Sequence, residues 1–497
     1  MTDLLLANAL VYRHEGDTNF PPVADITIRG GRIEAVGPDL PREGFEVVDL
    51  AGHVLVPGYV NGHYHSHDVL AKGLFEAISL ERWGLIAGAI GSNRSPAEVY
   101  LRTLLGAVEC ARNGITTVQD FANLSPLNRE TLDAVVSAYQ CVGIRVILGV
   151  TVRDRSQLET ILWADELVAK AHWDIVGTGR DDGLAQVSFI EREMARVGDR
   201  VGLVVWAVSP SAPQRCSPEL LERVAAFTTE ADLPVYTHVY ETRLQRHLAH
   251  ERFGDHSGSI VRYMEAHGLL TERVTMAHGV WPDAEEIDRM AGAGTGVVLN
   301  MLSNLRLRSG VAPLDAYRRQ GIPLSLGCDN CSCSDVQSML QVMKLYCLMG
   351  GISDPMIAPP TAPEAIRLAT QGGAKAARIA ERAGAIEPGM SADILAYDLA
   401  DPAWRPMNSV ARQLVHAETG RGLRHVWIAG RHVVSGNRCL TVDEDALMRD
   451  IDALMPVVRA DLDRLAKKAD LVDDAFRAIQ KRAFGKPLSY TRHLPAS

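Results

Sequence analysis

Apolar runs of strand length recur along the whole chain, and the stretches between them change character twice. Residues 3–12 and 24–38 are β-rich and enclose a Gly30-Gly31 turn, a hairpin pattern, and 47–55 adds a further strand. From 56 to 384 the runs are more uniformly apolar and alternate with segments of helical spacing. Strands are expected at 56–65, 114–121, 146–152, 201–209, 233–240, 274–279, 296–301 and 322–329. Helices are expected at 96–113 behind a Ser95 cap, 217–230, 257–267, 284–293 and 363–380. Residues 392–399 and 423–439 return to β texture around a glycine turn. Residues 441–481 show helical periodicity with charges paired at i, i+4, and run into a polar tail.

Strand–helix alternation of this kind predicts an α/β fold with a parallel sheet. Eight strands with crossover helices predict a (β/α)8 TIM barrel over 56–384. The two β-rich ends predict a small composite β-sandwich from 1–55 plus 385–440, and 441–497 a C-terminal helical extension packed on the barrel or on a partner subunit. The C-terminal strand ends of such a barrel carry its chemistry, so polar residues there are the first candidates.

Composition narrows the setting. With 497 residues, 47% hydrophobic and 23% charged, the chain is long enough for one large barrel with attached layers. A formal charge of -10 and the lack of a clustered basic face argue against nucleic acid. No run reaches the roughly 20 apolar residues of a membrane span, and the N-terminus has no basic leader. The eight cysteines are scattered, as suits a reducing cytoplasm. Cys328, Cys331 and Cys333 cluster without a fourth ligand at finger spacing, and read as small buried side chains rather than a structural zinc site.

The first barrel strand ends Pro57-Gly58-Tyr59-Val60-Asn61-Gly62-His63-Tyr64-His65, and its i, i+2 histidines share a face. His238 follows Pro-Val-Tyr-Thr, Glu241 comes three residues later, His278 closes Val-Thr-Met-Ala, and Asp329 closes Leu-Ser-Leu-Gly-Cys. Any one of these has an ordinary reading as a satisfied core residue or a cap; their gathering at one rim does not. Three imidazoles and a carboxylate (His63, His65, His238, Asp329) suffice to hold one divalent ion with a place left for water. Glu241 is then placed to move protons, and His278 to orient the water or steady the developing charge.

The motifs resemble those of the amidohydrolase superfamily, in the branch of S-adenosylhomocysteine and methylthioadenosine deaminases and of s-triazine hydrolases such as atrazine chlorohydrolase. The resemblance runs nearly end to end: PGYVNGHYH, the HxxET of residues 238–242, AHGVWPDAEEI, LSNLRLRSGVAPL, TAPEAIRLATQGGAKA and AIEPGMSADILAYDL. It implies a barrel with a composite β-sandwich, one metal on the four residues above, and proton transfer and water activation by Glu241 and His278. Relatives with two metals bridge them with a carboxylated lysine on the fourth strand; no lysine occurs between Lys170 and Lys344. One ion is therefore expected, zinc from its usual N/O donors, with Fe2+ and Mn2+ as alternatives.

Some positions depart from that pattern. Ser211 stands where adenosine-type relatives carry a histidine, Asn330-Cys331-Ser332-Cys333 replaces a run of small residues, and His67 extends the opening motif, where it reads as a loop residue. These changes leave the machinery intact and weigh against a nucleoside. Phe75, Trp83 and Trp281 are candidates to cover a flat ring, and Ser211, Asn304 and Arg306 to contact substrate. The expected function is deamination of a nitrogen heterocycle by attack of metal-bound hydroxide, with release of ammonia. Loss of chloride or an alkylamine, or cleavage of a urea, carbamate or amide C–N bond, is the alternative; a non-catalytic binding protein would have lost some of these residues. The partner is a small molecule, the place cytoplasmic, and the assembly a homo-oligomer, dimer or tetramer.

Overall fold

The computed structural model describes residues 3–493, apart from 77, 177–178, 199–201 and 353–355. The first residue expected in the strand at 201–209, and the last four of the C-terminal extension, lie outside the described residues.

The central sheet is parallel and runs, in spatial order, Leu324–Leu326, Gly296–Leu299, Val274–His278, Val235–Val239, Val204–Pro210, Arg145–Val152, Ile115–Ala122, Tyr59–His65 and Asp329–Asn330. Its two outer members are adjacent in sequence. The eighth strand is split: Leu324–Leu326 pairs with Gly296–Leu299, while Asp329–Asn330 pairs with Tyr64 and His65 of the first strand. The split closes the barrel. Asn61 shows how, for its buried Oδ1 accepts from the backbone N–H of Cys328 at 3.0 Å and its Nδ2 donates to Gln337 at 2.9 Å. The strands are enclosed on both faces, as their apolar runs required.

Helices wrap the outside. Pro96–Arg112 and Pro218–Glu230 begin at Ser95 and Ser217, whose side chains accept from the third helical N–H. The expected helix at 363–380 is instead two short α-helices, Ala362–Arg367 and Gly373–Ala376, joined by a π-turn at Leu368–Gly372. Glycine is needed there, since a Cβ on Gly372 would lie 2.5 Å from Leu324 O and one on Gly373 2.5 Å from Val60 Cγ1.

Strands from both ends of the chain form a second, mixed nine-stranded sheet, with Ile394–Asp398 antiparallel to His53–Pro57 at its centre. It folds over a core of its own that includes Leu6, Ile26, Leu55, Ile394 and Trp427. After it, the helices Glu444–Asp470 and Asp473–Gly485 return to the barrel. Val458, Leu462, Leu465 and Ala469 of the first pack against Ile86 and Ile90 of the helix Leu80–Ile90.

Candidate active site

The six polar residues expected at strand ends meet at one mouth of the barrel, and their partners fix how each one faces. His63 Nδ1 lies 3.2 Å from Gln119 Oε1, and His65 Nδ1 3.1 Å from the Phe121 carbonyl. His238 Nδ1 lies 2.7 Å from the Ser211 carbonyl, and His278 Nδ1 2.8 Å from Asn304 Oδ1. Each partner is an acceptor, so each Nδ1 carries the proton and each Nε2 keeps a bare lone pair. His278 and Asp329 sit on left-handed backbone, at φ 73° and 65°, where the chain turns out of its strand. Such backbone is unfavourable by about 1–3 kcal/mol for a non-glycine residue and persists where its surroundings enforce it.

The Nε2 atoms of His63 and His65 face one another at 3.2 Å, and Asp329 Oδ1 is 3.5 and 3.4 Å from them. Two lone pairs at that separation repel unless a cation lies between them. Burial, then neighbouring imidazoles, push His63 and His65 well below the ordinary histidine range, which keeps them in the neutral form that binds metal. Two overlapping donor triads, His63–His65–Asp329 and His63–His238–His278, have ligand atoms within 4.8 Å of one another. The donor set therefore fits a divalent ion. His67 and the three clustered cysteines enter no such group among the described residues, and all eight cysteines are free. The fourth barrel strand, Val204–Pro210, has no lysine.

Glu241 is buried beside this set. Its Oε2 lies 3.4 Å from His278 Nε2, and His278 Nε2 lies 3.8 Å from Asp329 Oδ2. Desolvation, then the nearby Asp329 and Glu81, push the Glu241 carboxyl well above its usual range. A buried carboxyl whose pKa is pushed up, next to converging donors, is equipped for acid–base work.

A cavity opens over these groups and corrects several expectations. Trp83 and Ser211 line it, as expected, although Trp83 sits on the helix Leu80–Ile90 with its Nε1 donating to Ser332 Oγ at 2.9 Å. Asn304 is absent from the wall; its contact is with His278. Trp281 is wholly buried away from the cavity, its Nε1 spent on the Ser309 carbonyl at 2.8 Å. Phe75 packs in the apolar cluster under the C-terminal helix, and Arg306 pairs with Asp335 at 2.6 Å. His67, expected in a loop, borders the cavity with its ring 5.3 Å from that of His65. Sequence reasoning missed Gln119, Glu81, Arg153, Gln214 and Arg215. A polar residue within the apolar run at 114–121 was the available signal for Gln119.

Comparison with known proteins agrees with this geometry. The Amidohydrolase family model matches residues 54–433. The chain belongs to the amidohydrolase family. This amidohydrolase is 31% identical over 414 residues to a 5-methylthioadenosine/S-adenosylhomocysteine deaminase of Thermococcus kodakarensis, covering 82% of this chain and 89% of that one. Its fold matches a zinc-bound adenosine deaminase from Xanthomonas campestris (TM-score 0.78, 24% identity, 94% and 99% of the two chains). It also matches atrazine chlorohydrolase from Arthrobacter aurescens TC1 complexed with zinc (TM-score 0.80, 24% identity, 91% and 100%). The protein is thus a metal-dependent hydrolase acting on C–N bonds other than peptide bonds.

Proposed function

We propose that this amidohydrolase deaminates an amino-substituted nitrogen heterocycle, with His63, His65, His238 and Asp329 holding one ion, zinc by preference. The carrying observation is the Glu241 carboxyl, buried and raised in pKa, 3.4 Å from His278 Nε2 at the edge of the donor set. The N/O donors and the zinc found in two neighbours of the same fold support that metal. When bound, the ion supplies Lewis-acid activation of water at neutral pH.

The rest follows from the chain's own groups. Glu241 takes a proton from the water and returns it to a ring nitrogen or to the departing amine, so that ammonia leaves. His278, with Nδ1–H committed to Asn304, offers Nε2 as an acceptor to the water or to protonated Glu241, and holds it in line. Trp83 and Ser211, which line the cavity, border the substrate. Glu241→Gln keeps the shape and removes the relay. It should retain its metal by elemental analysis while ammonia release from a panel of aminopurines, pterins, aminopyrimidines and aminotriazines falls roughly a hundred- to ten-thousand-fold. Turnover by Glu241→Gln near the parental rate refutes the role, and release of chloride or alkylamine in place of ammonia replaces the reaction.

A cytoplasmic setting and a homodimer or homotetramer belong to the same proposal. No described helix is long and apolar enough to cross a membrane. Leu440, Val457 and Phe484, exposed on the C-terminal segment, support assembly, which sedimentation measures directly.

A further inference from the structure

The cavity wall holds one positive charge with nothing to answer it. Arg215 follows the strand Val204–Pro210 and lines the cavity together with Ser211, Gln214 and Arg153. Its Nη1 donates to Ser211 Oγ at 3.1 Å, and its buried Nε has no partner. The nearby carboxylate, Asp181, is taken by Arg153 at 2.6 Å, and among the described residues none forms an ion pair with Arg215. Burial, then the nearby Arg153, push Arg215 down to about 9. A half-buried guanidinium without a counter-ion is poorly compensated, and its fork is shaped for a planar anion.

Position adds to charge. The Ser211 hydroxyl meets Arg215, while the carbonyl of the same residue fixes His238 at 2.7 Å. The arginine thus stands one residue away from a metal donor, within reach of a molecule bound there. The acids of the cavity gather elsewhere: Glu81 is tied to Thr242 at 2.8 Å, next to Glu241, and Asp329 belongs to the donors. The cavity therefore has an acidic side at Glu241 and a basic side at Ser211.

We infer that the substrate carries an anionic group, a carboxylate or a phosphate on or beside its ring, and that Arg215 reads it. This rests on the proposed site, since it puts the anion on the molecule that Glu241 acts on. Ser211 presents Arg215 and holds its fork; Gln214 supplies a further polar group from the same turn.

The test uses the metal-loaded full chain and matched pairs: pterin and pterin-6-carboxylate, cytosine and 5-carboxycytosine, adenosine and adenosine 5′-monophosphate. The first two pairs report a carboxylate and the third a phosphate. In at least one pair the charged member should win at least tenfold in kcat/KM, and should bind at least tenfold more tightly by calorimetry. Arg215→Met should reduce that preference at least tenfold, through KM rather than kcat, and Arg215→Lys should recover part of it. Equal handling of both members in every pair overturns the inference, as does an Arg215→Met variant that loses both members equally or a chain that binds neither. If no pair releases ammonia and the charged members still bind through Arg215, the deamination reading falls and this one stands.

Discussion

Gln119 touches neither the proposed ion nor the substrate, yet the orientation of His63 hangs on its Oε1, 3.2 Å from Nδ1. Removing such a partner typically weakens metal binding about 10- to 100-fold, because the imidazole loses its fixed tautomer and direction. Gln119→Leu should show that loss in competition against a chelator, with the fold intact by circular dichroism; parental affinity would mean that packing alone aims His63. The donors themselves were legible because histidine, aspartate and glutamate stand out at the end of an apolar strand. Their partners were not. Two of the four are backbone carbonyls, of Phe121 and Ser211, which no side chain marks. Asn304 was read as a substrate contact because it follows the seventh strand; the structure places it in the helix Met301–Arg306, where it turns toward His278.

Among elements, the eighth strand departs most from its pattern. Leu324 to Asp329 reads as one apolar run, but the chain breaks step at Gly327-Cys328, where Asn61 of the neighbouring first strand captures the Cys328 N–H. That bond is far in sequence and invisible to local periodicity. Gly327 makes the approach possible: a Cβ there would lie 2.4 Å from Asn300 Oδ1 and 2.8 Å from His63 Cβ. Gly327→Ala is therefore expected to lose about 1–3 kcal/mol of stability by overpacking and to displace His63, lowering bound metal. Denaturant midpoints and metal content measured together check both halves. The π-turn at Leu368–Gly372 escaped for a related reason, since an extra residue in a helix leaves the apolar spacing on either side unchanged. Amphipathic surface helices such as Pro96–Arg112 had nothing of that kind to hide, and their ends were marked by caps.

Across the whole molecule, the barrel and the sheet built from both termini are joined by a buried ion pair. Arg145, on the third barrel strand, binds Asp393 and donates to Ser391 Oγ at 3.0 Å, while Asp393 also accepts from the Ala429 N–H at 2.8 Å. Asp393→Ala leaves the guanidinium buried and unpaired, so unfolding free energy should fall by about 3–5 kcal/mol in a denaturant titration. The Ser-Ala-Asp of the motif around 391–393 was legible as a likeness, and its role only once Arg145 was seen against it. His14 makes a second such tie, its Nε2 lying 3.1 Å from the Gly384 carbonyl while its buried Nδ1 has no partner. Burial lowers its pKa from 6.5 to about 4. The unfolded chain thus binds the proton first. This buried ring costs nothing above pH 6.5, and as pH falls toward 4 stability drops by about 3 kcal/mol, because folding then holds a proton-binding imidazole out of water. His14→Gln should flatten that part of the stability–pH curve relative to the parent, and parallel curves would remove His14 as the cause. The long helix Glu444–Asp470 has a consequence of a different kind, because it braces the helix that carries Glu81 and Trp83 over the cavity. All six polar groups of the barrel mouth are synthesised long before that brace. A nascent chain therefore holds the residues of the barrel mouth before it holds the helix that packs against that wall.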